Sequence, residues 1–283
     1  MNYLLLVISI SSMVTQDSLL NFFSKKKLNS RTDTFYFNSF LYLVVFLLSL
    51  IVAIGTPISV YSVLLGLLFG AITFLTIFCK LTALSRGPLH LTVMIVTSSM
   101  ILPAMSDVLI WHEPFHFGKA IAMLLLLLFI RISLGKDHSS VYQKGWLFFC
   151  FCAFLGDGTV GIMQTIHQRS THQAELFWFL SSAFFCAFIL SGILTIGKKK
   201  SVSFKLADFG IIIIAGGATF AANFLNLKLS GVLPSQLFFP LINGSSIIIT
   251  GILSVTVFRE KFTVRQLIGM FGGLVCLTLI CVL

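Results

Sequence analysis

Apolar runs about 20 residues long, separated by short polar links, fill this chain from end to end. A helix of about that length crosses a hydrocarbon core of about 30 Å. Ten spans are expected, over approximately 3–22, 35–54, 60–83, 89–111, 117–135, 145–166, 174–196, 207–228, 233–257 and 264–282. They must be helices, because lipid offers backbone N–H and C=O groups no partner. The runs are also far longer than a barrel strand and lack its alternation. Composition agrees: 57% of residues are hydrophobic and 10% charged, where soluble domains carry roughly a quarter. The links leave no room for an extramembrane catalytic module, so whatever the protein does is expected to happen among its helices.

The spans form two copies. Gly70, Thr73, Phe74, Leu81 and Pro88 return 146 residues later as Gly216, Thr219, Phe220, Leu227 and Pro234. Glu113-Pro114-Phe115 with Ile121 and Met123 returns at a shift of 147 as Glu260-Lys261-Phe262 with Ile268 and Met270. Asp17 and Asp157 correspond at a shift of 140. The fold class expected is therefore all-α, with ten transmembrane helices as two five-helix repeats, residues 1–138 and 139–283. Five crossings per copy put the second copy into the bilayer upside down, and such inverted repeats are characteristic of transporters.

Charge orients the chain. Fifteen of the nineteen Lys and Arg residues fall on odd-numbered links and their flanks, including Lys25, Lys26, Lys27, Lys136, Lys144 and Lys198. Cytoplasmic loops carry such an excess, so both termini are expected outside. The net charge of +10 suits anionic lipid headgroups rather than nucleic acid. The first span has no preceding Lys or Arg and no small-x-small cleavage site, and reads as a retained helix rather than a secretory signal. The six cysteines all lie in apolar spans, where a thiol acts as a small hydrophobe, and no disulfide framework is implied.

One motif is set aside. His112-Glu113-Pro114-Phe115-His116 satisfies H-E-x-x-H, but zinc ligation needs both histidines on one unbroken helix, and Pro114 is suited only to a helix start. The second copy, Arg259 to Thr263, keeps the glutamate and neither histidine. Glu113 and Glu260 are accordingly read as link residues that stabilise a helix start. No metal or other cofactor is expected.

Ionisable groups at membrane depth are the stronger candidates, because a buried charge costs several kcal/mol unless it faces a cavity or a partner. Asp17 and Asp157 both lie past the middle of the first helix of their copy and could meet near the midplane, as cation or proton carriers or as structural residues paired to a lysine. Asp107, near Trp111, is expected to be merely solvated. Lys80 and Lys228 sit near span ends, where snorkelling to water is the default. Lys228 stands in a polar run with Asn223 and Asn226 before it and Pro234, Gln236, Pro240 and Asn243 after it. Asn223, Lys228, Gln236 and Asn243 complete the candidate set. Pro88 and Pro234 are equivalent candidate hinges or helix starts. Gly66, Gly70, Gly216 and Gly217 are expected to let helices approach closely. Trp111, Trp146 and Trp178 suit the interfacial belt, with Trp178 and Phe224 as weak cavity-lining candidates.

The closing half of each copy carries a resemblance. A Pro-opened helix, a glutamate at the turn and a final helix run from Pro88 through Glu113 to Ile132, and from Pro234 through Glu260 to Val282. With Gln266, Ile268, Gly269 and Gly273, the second copy resembles the closing motif of EamA-type proteins of the drug/metabolite transporter superfamily. The first copy departs from it, with Lys119 and Ala122 in place of Gln266 and Gly269. The resemblance covers essentially the whole chain. It implies alternating-access movement of a small metabolite or drug, in some members driven by protons, through a cavity lined here by the first, third, sixth, eighth and ninth spans. Many members keep their termini in the cytoplasm, and the charge count here points the other way.

The expectation is thus a transporter rather than an enzyme, in a bacterial inner membrane, with a small solute and lipid as partners, no nucleic acid, and faces that permit a homodimer. The alternatives are a scaffold or lipid-handling subunit and, further off, a membrane-embedded metalloenzyme. Reporters fused to either terminus are expected to read extracytoplasmic; a cytoplasmic signal from either overturns the orientation.

Overall fold

The computed structural model describes residues 2–26, 30–112, 117–134, 143–198, 205–233, 235–257 and 263–282. Among them every regular element is a helix. In chain order these are α1 (Asn2–Lys26), α2 (Arg31–Ala53), α3 (Val60–Arg86), α4 (Leu89–Thr97), α5 (Ile101–Trp111), α6 (Phe117–Leu134), α7 (Trp146–Gln168), α8 (Leu176–Ile193), α9 (Leu206–Ser230), α10 (Ser235–Thr256) and α11 (Val264–Val282). Seven segments among the described residues are long and apolar enough to cross a membrane: Leu4–Phe23, Thr32–Ala53, Val60–Arg86, Leu89–Trp111, Trp146–Gln168, Gln173–Ile193 and Asp208–Ser230. The protein is a multi-pass helical membrane protein. Shorter apolar stretches, Ile242–Leu253 and Val264–Cys276, lie within α10 and α11.

Two features of the helices differ from the sequence reading. α2 begins four residues before the expected 35, because Ser30 and Asp33 form a capping box: the Asp33 N–H donates to Ser30 Oγ at 3.1 Å and the Ser30 N–H to Asp33 Oδ2 at 3.1 Å. Those bonds satisfy two donors that a helix start otherwise leaves open. The fourth apolar run is a broken helix, with a single 3-10 turn at Ser98–Met100 between α4 and α5. Pro103 supplies the cause. Its ring excludes an α-helical bond to the Ser99 carbonyl four residues back, and Thr97 and Ser98 loosen the ladder further by donating to the carbonyls of Val93 and Met94 at 2.7 and 2.6 Å.

Packing runs between the halves of the chain. α3 lies against α7 and α8, and α9 lies against α1 and α2. α2 packs on α8, α6 on α11, and α10 on both α1 and α4. One apolar core joins α1–α4 to α7–α9 through Leu20, Phe37, Tyr42, Phe69, Phe179 and Phe184. A second joins α1, α5 and α6 to α9–α11 through Val14, Ala104, Leu126, Phe238 and Ile242.

Small residues set the closest approach. A Cβ on Gly70 would run into the Ala183 carbonyl of α8, 2.9 Å from Ala183 Cα, and one on Gly66 would strike Phe179 and Ser182. The Gly216 backbone is similarly covered by Val44 of α2. Gly217 does not share this role, since a Cβ there meets no described atom within 4 Å.

Trp146 corrects the belt reading. It is 2% exposed, its indole N–H donates to Thr92 Oγ1 at 3.0 Å, and it packs on Gly87, so it ties α7 to α4 in the interior. Trp178 donates to the Thr56 carbonyl at 3.2 Å. Pro88 is the N-cap of α4, a helix start rather than an internal hinge. His112 ends α5 with φ +53°, in the left-handed region, so no α-helix continues from it into the H-E-x-x-H segment. Residues 113–116, Pro234 and residues 258–262, and with them Glu113 and Glu260, lie outside the described residues.

Gly70→Leu is expected to lower stability in detergent by about 3 kcal/mol or more, because rigid backbone must yield. Gly217→Ala is expected to change it by less than about 0.5 kcal/mol. Thermal unfolding of the two variants separates close helix approach from generic glycine loss.

Candidate functional site

A cavity of about 100 Å³ lies where six parts of the chain converge. Each helix contributes a stripe spaced three and four residues apart, the spacing that puts side chains on one helical face. α1 supplies Met13, Gln16 and Asp17; α3 supplies Thr73, Thr76, Ile77 and Lys80; α7 supplies Asp157, Val160, Gly161 and Gln164. α9 adds Ala222, Asn223 and Asn226, α10 adds Phe238, Phe239, Ile242 and Asn243, and the broken fourth run adds Ser99, Met100 and Pro103.

Depth follows from helix length. Asp157 is eleven residues from either end of the 23-residue α7, about 16 Å from each at 1.5 Å per residue. That is the centre of a 30 Å hydrocarbon layer. The 3-10 turn brings Ser99 to the same level, and its hydroxyl donates to Asp157 Oδ2 at 2.6 Å.

Among the described residues three ionisable side chains line the cavity: Asp17, Lys80 and Asp157. Lys80 donates to Asp17 Oδ1 at 2.5 Å, with the lysine side chain 13% and the aspartate 2% exposed. Lys80 is therefore a buried ion-pair partner, which corrects the snorkelling expectation: the cavity, not the bilayer surface, receives its ammonium. Among the described residues no cationic group lies within ion-pair distance of Asp157, and Asp17 Oδ2 and Thr73 Oγ1 are buried without a hydrogen-bond partner. Asn223 donates one amide N–H to the Thr219 carbonyl at 2.9 Å. Asn226 accepts from Ser9 at 2.6 Å, bridging α9 to α1.

Of the candidates read from sequence, Asp17, Asp157, Asn223 and Asn243 meet in this cavity. Lys228 does not line it. Its side chain is exposed and its ammonium lies 6.0 Å from the Phe224 ring, because Lys228 stands two residues beyond Asn226 and so on another face of α9. Phe224 stacks on Phe177 and Phe220 rather than lining the cavity. The side chain of Gln236 lies outside the described residues. Asp107 is fully buried and pairs with Arg169 at 3.3 Å, while Arg169 also lies 4.5 Å over the Trp111 ring; it is a tether between α5 and the end of α7, not a solvated carboxylate.

The fourth run, Gln16, Gln164, Thr73 and Thr76 were missed as lining. Two signals pointed to them. Positions 73, 76, 77 and 80, and 157, 160, 161 and 164, follow the helical stripe, and Asn226 is the counterpart of Lys80 at the repeat shift of 146. Among the described residues no cluster of three His, Cys, Asp or Glu side chains is placed to hold a metal.

No protein-family model matches the chain, and no curated protein matches it in sequence. A solved crystal structure of a protein shares the fold, with a TM-score of 0.68 over 98% of this chain and 95% of that one at 11% identity. At that identity the likeness speaks to the fold alone.

Lys80→Met is expected to destabilise the protein by about 3–5 kcal/mol, because it strands a buried carboxylate. Adding Asp17→Asn should restore most of the loss. A double-mutant cycle on melting in detergent checks this, and a double loss equal to the sum of the two single losses would show that the pair is not coupled.

Proposed function

We propose that this protein is a secondary-active transporter of a small polar solute, working by alternating access in the manner of the drug/metabolite transporter superfamily. The observation that carries the reading is the polar cavity at mid-depth, walled by helices of both halves and holding the two aspartates that correspond in the repeat. Charges at such depth persist chiefly where they serve ions or solutes.

The packing supports ten spans in two related copies. α3 on α7 and α9 on α1 exchange when the halves are exchanged, as do α3 on α8 and α9 on α2. Pairs α2 with α8, α4 with α10 and α6 with α11 then fit a pseudo-twofold axis through the cavity, which with five spans per copy gives inverted repeats. Each end of the bundle carries ties that a rocking motion would make and break. Arg169–Asp107 and the Glu175 carboxylate, held by Ser59 and by His172 at 3.0 Å, lie at one end. Arg86, donating to the Lys144 carbonyl at 3.1 Å, lies at the other. The helical construction suits a plasma or inner membrane, since outer-membrane proteins are barrels.

Liposomes reconstituted with the protein and loaded with a mixture of amines, amino acids, sugars and nucleosides test this by mass spectrometry of what is released. Release of at least one component is expected, slowed at least tenfold by Asp157→Asn, a loss of roughly 1.4 kcal/mol or more. Wild-type protein that releases nothing would favour the scaffold or lipid-handling alternative.

A further inference from the structure

The two copies differ at one charge. In the first, Asp17 has Lys80 at 2.5 Å. In the second, the counterpart of Asp17 is Asp157 and that of Lys80 is Asn226, an amide engaged with Ser9. Among the described residues the cavity therefore carries two carboxyl groups and one amine, and no other ionisable side chain lines it. With all three ionised, the described residues leave one negative charge in excess, shared around Lys80, in an apolar bundle where such a charge is costly until something positive neutralises it.

Acceptors are in place around it. Asp157 is held by Ser99, Asn223 anchors its amide nitrogen to its own helix by one N–H and keeps its carbonyl oxygen for another donor, and Asp17 Oδ2 is buried with no partner among the described residues. Aromatic and aliphatic lining comes from Phe239 and Ile242, Phe239 lying against Gly161 one turn along α7 from Asp157. A bare metal ion would leave most of the 100 Å³ empty. Benzene fills an engineered cavity of about 150 Å³, so the space here suits roughly two to five heavy atoms.

We propose that the cavity selects a small organic ammonium ion, its N–H groups donating to Asp157 and to the carbonyl of Asn223 and its short carbon chain lying against Phe239. This names the substrate class of the site proposed above and rests on that transport reading. Acids of equal size are excluded by the uncompensated carboxylate, and neutral amides leave its charge unpaired.

The test uses the full chain in detergent near neutral pH, with ethylammonium, acetamide, propionate and sodium at matched ionic strength, and the melting temperature as readout. Of these four, ethylammonium alone is expected to raise it, and longer alkylammoniums should lose the effect from pentylammonium to hexylammonium as the chain outgrows the cavity. Asp157→Asn should weaken ethylammonium at least about tenfold, the scale of a lost hydrogen bond to a charged group. Should that variant fail to fold, wild-type selectivity decides the matter: stabilisation by acetamide or propionate equal to that by ethylammonium, or by sodium alone, overturns the proposal. Flux separates it from transport itself. Proteoliposomes that move an acid or a sugar while ignoring ethylammonium would overturn the ammonium assignment and leave transport standing. Ethylammonium binding without any flux above protein-free liposomes would uphold the ligand class and overturn transport, and neither binding nor flux would overturn both.

Discussion

Ionisable side chains inside an apolar bundle are the constraint on which this structure turns. Lipid solvates neither a carboxylate nor an ammonium, and the cost of several kcal/mol per charge must be met inside the protein. Asp17 and Lys80 meet it by pairing across α1 and α3. Asp157 meets part of it with the Ser99 hydroxyl, presented by a backbone that Pro103 has forced out of the α-helix. A break in a membrane helix is tolerable only where it faces protein or a polar cavity, so the 3-10 turn and the carboxylate each give the other a reason to be there.

The rest of the bundle holds that arrangement at a fixed spacing. Gly66 and Gly70 bring α3 against α8, and Gly216 brings α9 toward α2. In lipid, where apolar side chains gain little by leaving solvent, close packing of this kind supplies much of the association energy. Trp146 adds a buried hydrogen bond between α7 and α4. The ties at the bundle ends, Arg169 to the buried Asp107 and Arg86 to the Lys144 carbonyl, fix the helix termini to one another.

Much of the site was legible because polar residues in apolar runs are conspicuous. Asp17, Asp157, Asn223 and Asn243 were found that way and lie in one cavity. Lys80 and Lys228 show the limit of the method. Both stand near span ends, and only the neighbours on each helical face distinguish them: Lys80 continues the stripe from Thr73 and Thr76, whereas Lys228 lies off the stripe of Asn223 and Asn226 and turns outward. Trp146 misled for the same reason. An aromatic residue at a span start looks interfacial until a partner such as Thr92 buries it.

Sequence alone determined that the chain lives in lipid as helices and where most of them begin and end, because hydropathy is written along one dimension. Tertiary structure decided which polar groups meet. The pairing of Lys80 with Asp17, the engagement of Ser99 with Asp157 and the burial of Asp107 against Arg169 join residues 58 to 63 positions apart. Such contacts depend on helix rotation and crossing, which side-chain volumes and glycine contacts set in three dimensions.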